Sequence, residues 1–159
     1  MPTQQETFES IAMPHLAALL RVARRLTRDP ASAEDLVQET MLLAWRGFRS
    51  FQTGTNVRAW LFRILFNVFH AAGRKPPVAV SGSSAINASQ QDAVEISEAL
   101  ETLPIEQRTV LLLCVVEGFT CREVAGILEL PIGTVMSRLS RARQELRSSL
   151  APVAKAAYR

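Results

Sequence analysis

The sequence predicts an all-α protein made of two small helical domains joined by a flexible linker. Three observations carry that reading. Apolar residues recur at helical spacing through almost every segment, and no strand candidate is longer than a few residues. Capping residues, prolines and a glycine mark helix starts and stops. Behind Pro76-Pro77 the pattern fades into SGSSAINASQQ, a small, polar, weakly periodic run. The expected boundaries are a domain over residues 1–75, a linker over 76–91 and a second domain over 92–152.

The first helix is expected from Glu6 to Leu26, with Phe8, Ile11, Ala12, His15, Leu16, Leu19, Ala23 and Leu26 on one side. Pro14 falls inside it and removes a backbone bond, so the spacing predicts a kink or a two-part helix. His15 lies on the apolar side and reads as a packed core histidine rather than a ligand. Asp29-Pro30 then supplies an N-cap and a first helical residue. Ala33, Leu36, Val37, Thr40, Met41, Ala44, Trp45 and Phe48 repeat inward, while Asp35, Gln38, Glu39 and Arg46 lie opposite, beside Leu42 and Leu43. The helix macrodipole favours carboxylates near this N-terminus. It does not account for leucines beside them, which a protein interface would.

FRSFQTGT, from Phe48 to Thr55, reads as a loop, and Asn56 caps a third helix. Val57, Trp60, Leu61, Ile64, Leu65 and Val68 form its expected inward stripe. Phe62, Phe66 and Phe69 fall off that stripe with Asn67, beside Arg58 and Arg63. Aromatics next to arginines suit stacking on unpaired bases. Widening of the core is the better account of any single one of them. Beyond the linker, Ala93, Ile96, Leu100 and Leu103 point to a further helix. Pro104 opens IEQRTVLLLCVVEG, which Gly118 closes as a C-cap.

Thr120 and Glu123 have capping-box spacing, Val124, Ile127 and Leu128 form a short stripe, and Leu130-Pro131 ends that helix. Ile132, Val135, Leu139, Ala142 and Leu146 line one side of the next. Ser137, Arg138, Ser140, Arg141, Gln144 and Arg147 lie between them. Two helices around a tight turn, the second polar and basic, are what a helix-turn-helix needs to lay side chains along a DNA groove. An ordinary amphipathic helix with a solvated arginine face fits this stretch as well.

Charge is distributed unevenly along a chain whose net charge is only +3. Asp29 to Glu39 holds four acids and no base, Asn56 to Lys75 four bases and no acid, and Pro131 onward six bases against Glu145. One acidic face and two basic ones suggest a protein partner and a polyanion. The two cysteines, Cys114 and Cys121, lack the companions of a metal site and read as unpaired thiols in a reducing compartment. No apolar run approaches a membrane span and no signal-peptide layout opens the chain, so a cytoplasmic protein is expected. No carboxylate pair, phosphate loop or Ser/Cys–His pairing points to an enzyme.

DPASAEDLVQETMLLAWR, VRAWLFRILFN and ALETLPIEQRTVLLLCVVEGFTCREVAGILELPIGTVMSRLSRAR, in that order, resemble the extracytoplasmic-function (ECF, group IV) sigma factors of bacterial RNA polymerase, in the sigma-70 family. The resemblance spans nearly the whole chain. It implies a region 2-like three-helix unit and a region 4-like helix-turn-helix domain, with no cofactor, no metal and no catalysis. It also implies core RNA polymerase as a partner, through the β′ clamp helices and the β flap, together with promoter DNA and an anti-sigma factor, and no membrane insertion. Asp35, Gln38, Glu39 and Leu42 then fall on the polymerase-docking helix. Phe51, Gln52 and Thr53 occupy the loop, and Arg58, Arg63 and Asn67 the helix, that recognise the −10 element and capture an unpaired base. Ser137, Ser140 and Arg141 would face −35 base edges, with Arg138 and Arg143 on phosphates and the backbone at Gly133 and Thr134 meeting another. Four positions depart from the pattern: Met136 stands where Lys or Arg is usual, Ser140 is small, and Phe66 and Phe69 replace the common Arg and Ala. Rival readings are a dimeric helix-turn-helix regulator independent of polymerase, and a sigma-like adaptor that sequesters an anti-sigma protein.

Overall fold

A computed structural model describes residues 1–52, 54–73 and 88–157, and among these no strand occurs. They form two compact units, one on the N-terminal helices and one on the C-terminal helices. Thr3 opens α1 (Gln4–Ala12) with a capping box, the Glu6 amide donating to Thr3 Oγ1 (3.2 Å) and the Thr3 amide to Glu6 Oε2 (2.6 Å). The Thr3 amide and the Thr3 hydroxyl, which donates to the same carboxylate oxygen at 3.0 Å, pull the Glu6 carboxyl below its usual range. Pro14 then imposes a 3₁₀ turn, Met13–His15, before α2 (Leu16–Thr27), giving the two-part helix that a proline at this place predicts. Arg28 ends α2 in the left-handed region (φ 58°), its amide donating to Arg24 O at 3.1 Å.

Asp29 caps α3 (Pro30–Gly47) by accepting from the Ser32 amide (3.0 Å) and hydroxyl (2.6 Å), which holds its carboxyl below the ordinary range. Asn56 caps α4 (Val57–Ala71) through the Ala59 amide at 3.1 Å. The core of this unit is Leu19, Val22 and Ala23 of α2, Ala33, Leu36, Val37 and Ala44 of α3, and Leu61, Phe62, Leu65 and Phe66 of α4. Thr40 is buried among them, and its hydroxyl donates to Leu36 O at 2.7 Å, so this hydroxyl is not stranded. The inward stripe of α4 is therefore rotated from the expected one. Phe62 and Phe66 are buried, whereas Val57, Trp60, Ile64 and Val68 keep some exposure. A helix apolar on most of its circumference gives periodicity little to orient by.

In the second unit α5 (Ala88–Thr102) begins before the expected end of the linker, so residues 88–91 are helical; residues 76–87 lie outside the described ones. Ala99, Leu100 and Leu103 are buried as their spacing requires, but Ala93 is exposed and Ile96 is 48% exposed. Ile96 lies one turn before the buried Ala99 and Leu100, and α5 packs against α8. α6 (Ile105–Leu111) runs into a π-helical turn, Leu112–Val116. At Gly118 (φ 73°) the chain reverses, and the Phe119 amide donates to Leu113 O at 3.0 Å.

Arg108 is 4% exposed and was unforeseen as a core residue. Its guanidinium donates to the carbonyls of Leu100 (2.8 Å), Glu101 (2.7 Å) and Leu103 (3.0 Å), which closes the open C-terminal end of α5. Burial is tolerated because three of its donated bonds end on backbone carbonyls. Cys114 and Cys121 are half-buried and unpaired, and burial pushes the Cys114 thiol up to about 11.

Candidate functional site

α3 sorts its side chains cleanly. Asp35, Gln38, Glu39 and Leu42 are all exposed, and their spacing of three and four residues places them in one stripe. Leu42 and Leu43 are 42% and 37% exposed, although buried Thr40 and Ala44 lie on the same helix. Carboxylates and an amide bordering exposed leucines make a surface with both steering charge and apolar area. The structure thus brings the four predicted docking residues together.

The loop after α3 is fixed by aromatic packing. Phe8 of α1 meets Trp45 and Phe48 edge-on, each at 5.3 Å between ring centroids. Phe48 stacks on Phe51 (6.1 Å), and Phe51 lies 4.6 Å from Trp60 of α4. Phe51 therefore anchors the loop and is only half-exposed, while Gln52 is exposed and Thr53 lies outside the described residues. Thr55 turns the chain into α4, its amide and hydroxyl both donating to Gln52 O (3.2 and 2.7 Å). On α4, Arg63 and Asn67 are exposed one turn apart. Arg58 is half-buried, its guanidinium 5.9 Å from the Phe62 ring centroid. Phe62 and Phe66 cannot offer a face to a nucleic-acid base, which corrects the stacking role considered for them; Phe69 keeps partial exposure.

The C-terminal unit carries the third surface. The Glu123 amide donates to Thr120 Oγ1 (3.2 Å) and the Thr120 amide to Glu123 Oε2 (2.8 Å), so the capping box that the spacing predicts opens α7 (Cys121–Leu128). Glu129 takes the left-handed conformation (φ 55°), and Pro131 leads into α8 (Ile132–Ala157). Val135, Leu139 and Ala142 are buried. Ser137, Ser140, Arg141 and Gln144 are exposed, and at 3.6 residues per turn they occupy roughly 100° of arc opposite that stripe. Arg138 borders this arc on one side, Arg143 and Arg147 on the other.

Two expectations for α8 change. Ile132, predicted inward, is 45% exposed because it begins the helix ahead of the turns that are covered. The Thr134 amide already donates to Pro131 O at 3.0 Å, so of the two residues expected to meet a phosphate through backbone, Thr134 has its donor engaged. Gly133 is exposed.

Known proteins with this architecture are similar to it in sequence. The family model "Sigma-70 region 2" matches residues 11–75, and "Sigma-70, region 4" matches residues 93–146. The ECF RNA polymerase sigma factor EcfG of Rhodopseudomonas palustris is 38% identical over 149 residues, covering 87% of this chain and 81% of that protein. Among solved structures, the sigma factor RpoE in complex with the anti-sigma factor NepR, from Bartonella quintana, superposes with a TM-score of 0.77 at 31% identity, covering 91% of this chain and 97% of the other. CnrH in complex with the cytosolic domain of CnrY gives a TM-score of 0.74 at 27% identity over 93% of this chain and 90% of the other. The two family models, in this order over two helical units, make the chain a sigma-70-type transcription factor. The chain belongs to the ECF RNA polymerase sigma factors.

Proposed function

We propose that the three surfaces divide the work of promoter-specific initiation among them. The α3 stripe of Asp35, Gln38, Glu39 and Leu42 docks on the β′ clamp helices of core RNA polymerase. Its acids set register and on-rate, and its leucines contribute buried area. Residues 1–75 also hold the −10 element: Gln52, Thr53 and Asn67 form the pocket for an unpaired base, Phe51 positions the loop, and Arg58 and Arg63 face the phosphates. Extruding a base costs a few kcal/mol of unstacking, which hydrogen bonds in a snug pocket offset. Residues 92–152 read the −35 element beside the β flap. Ser137, Ser140 and Arg141 meet base edges, while Arg138, Arg143 and the Gly133 amide hold the flanking backbone.

The observation that carries this reading is the segregation on α8, where small polar groups and Arg141 fill the outward arc with arginines on both flanks. A groove-reading helix needs short groups in the middle and phosphate-seeking cations at the edges. The same reading places the protein in the cytoplasm as a transcription factor without catalysis of its own; among the described residues no helix is long and apolar enough to cross a membrane. An anti-sigma protein is the expected regulator, because the RpoE neighbour was solved with one.

Run-off transcription with purified core polymerase and a genomic promoter pool tests the proposal. Discrete transcripts that require both the chain and core polymerase are expected. DNA binding without polymerase at palindromic sites would point instead to a stand-alone regulator.

A further inference from the structure

The reading helix exposes a large apolar side chain that phosphate and hydrogen-bond contacts leave unexplained. Met136 is 56% exposed on the flank of α8 that also holds Arg143 and Arg147, and it shares an open cleft with them, Leu139, Ser140 and Gln144. Ile132, one turn earlier, is also exposed, so the N-terminal part of α8 bears an apolar ridge among polar groups. In a helix-turn-helix, the N-terminal residues of the second helix lie nearest the base edges. The apolar feature of the major-groove floor is the thymine C5-methyl group. Methionine is unbranched and polarizable, so it can reach past the helix surface and adapt to such a group. Ser140, one turn beyond Met136, is short and leaves that reach unobstructed.

Resting on the −35 reading above, we propose that Met136 is a specificity-determining residue that selects a thymine through its C5-methyl group. Ile132 extends the same apolar contact, and Arg143 and Arg147 fix the backbone beside it. The methyl gains by leaving water against the thioether chain, and cytosine, which lacks it, gains nothing.

The test uses holoenzyme assembled from the full chain and core polymerase, which first selects its −35 sequence from a randomised duplex library. Each thymine of the selected element, on either strand, is then replaced singly by deoxyuridine, which removes the methyl and keeps every hydrogen-bonding group. One replacement should weaken binding by about four-fold, the worth of one buried methyl group. Met136→Ala should bind the thymine site more weakly and lose the sensitivity at that position. The proposal is overturned if deoxyuridine is tolerated everywhere, or if Met136→Ala keeps the wild-type sensitivity. A holoenzyme that selects no sequence would take the −35 reading down with it before any deoxyuridine is introduced, so the two failures are distinguishable.

Discussion

α3 and α8 both present a polar face to solvent, and they are built in opposite ways. α3 exposes carboxylates near its N-terminus with Leu42 and Leu43 beside them. α8 exposes two hydroxyl groups, the Gln144 amide and Arg141 across its face, with further arginines at the edges. A surface with exposed leucines has area to gain by being covered, so it suits a protein whose charges complement it. On α8 the hydroxyls and guanidinium groups gain little by burial and much by meeting phosphates, with Met136 and Ile132 adding apolar area on one flank. In the function proposed above, the difference separates a docking face from a reading face, and each of the following substitutions either blurs or sharpens it.

Reversing both acids on α3 should have the largest effect. Asp35→Lys with Glu39→Lys is expected to weaken core-polymerase binding by about a hundred-fold or more, since like charges across an interface cost several kcal/mol. Both side chains are exposed, so the far-UV circular dichroism melt should stay in place. Unchanged polymerase affinity in the double variant would end the assignment of this face. Loss of the fold would move α3 from docking to structure.

Arg108 tests what holds the reading unit together. Arg108→Met keeps the length and removes the donors to three carbonyls at the end of α5, so a loss of about 3 kcal/mol is expected in urea unfolding followed by circular dichroism. A loss below about 1 kcal/mol would mean that water replaces the guanidinium at little cost.

Arg141 and Arg143 divide the reading face itself. Arg141→Ala should cost about 1–3 kcal/mol at one −35 base pair and relax preference there. Arg143→Ala should weaken all sequences alike and lower the salt slope by about one. Uniform weakening from Arg141→Ala, measured by competition among −35 variants, would move that residue from bases to phosphate.

The same contrast explains what was legible in the sequence. On α3 and α8 polar and apolar residues are segregated, and spacing alone placed Ala33, Leu36 and Val37, or Val135, Leu139 and Ala142, on the buried side. The caps at Asp29, Asn56 and Thr120 were equally readable, because a side-chain oxygen three residues ahead of an amide is a local signal. α4 was harder. Phe62 and Phe66 sit beside another apolar stripe, and only tertiary packing decides which stripe turns inward. Arg108 gave no signal, since its acceptors are carbonyls whose exposure depends on where α5 ends. Ile96 and Ile132 misled because periodicity reports a face and not how far along the helix that face is covered.

The smallest expected effect concerns His15, between the two parts of the first helical segment. Burial lowers its pKa, and the nearby Arg58 guanidinium lowers it further, from an ordinary value of 6.5. The folded pKa therefore lies below the unfolded one, and near that range the unfolded chain binds more protons. Stability is then complete above about pH 6.5 and declines as pH falls below it toward the folded pKa. Trp45 and Trp60 are the chain's two tryptophans and both belong to the N-terminal unit, so their fluorescence reports its unfolding. His15→Gln should flatten the decline in urea midpoint between pH 7.5 and pH 5.5. An equal decline in the variant would overturn the assignment to His15, since Glu6 and Asp29, whose pKa values are lowered, give up their contributions only at lower pH. Because His15 belongs to neither the docking face nor the reading face, its substitution should leave polymerase affinity and −35 preference unchanged at neutral pH.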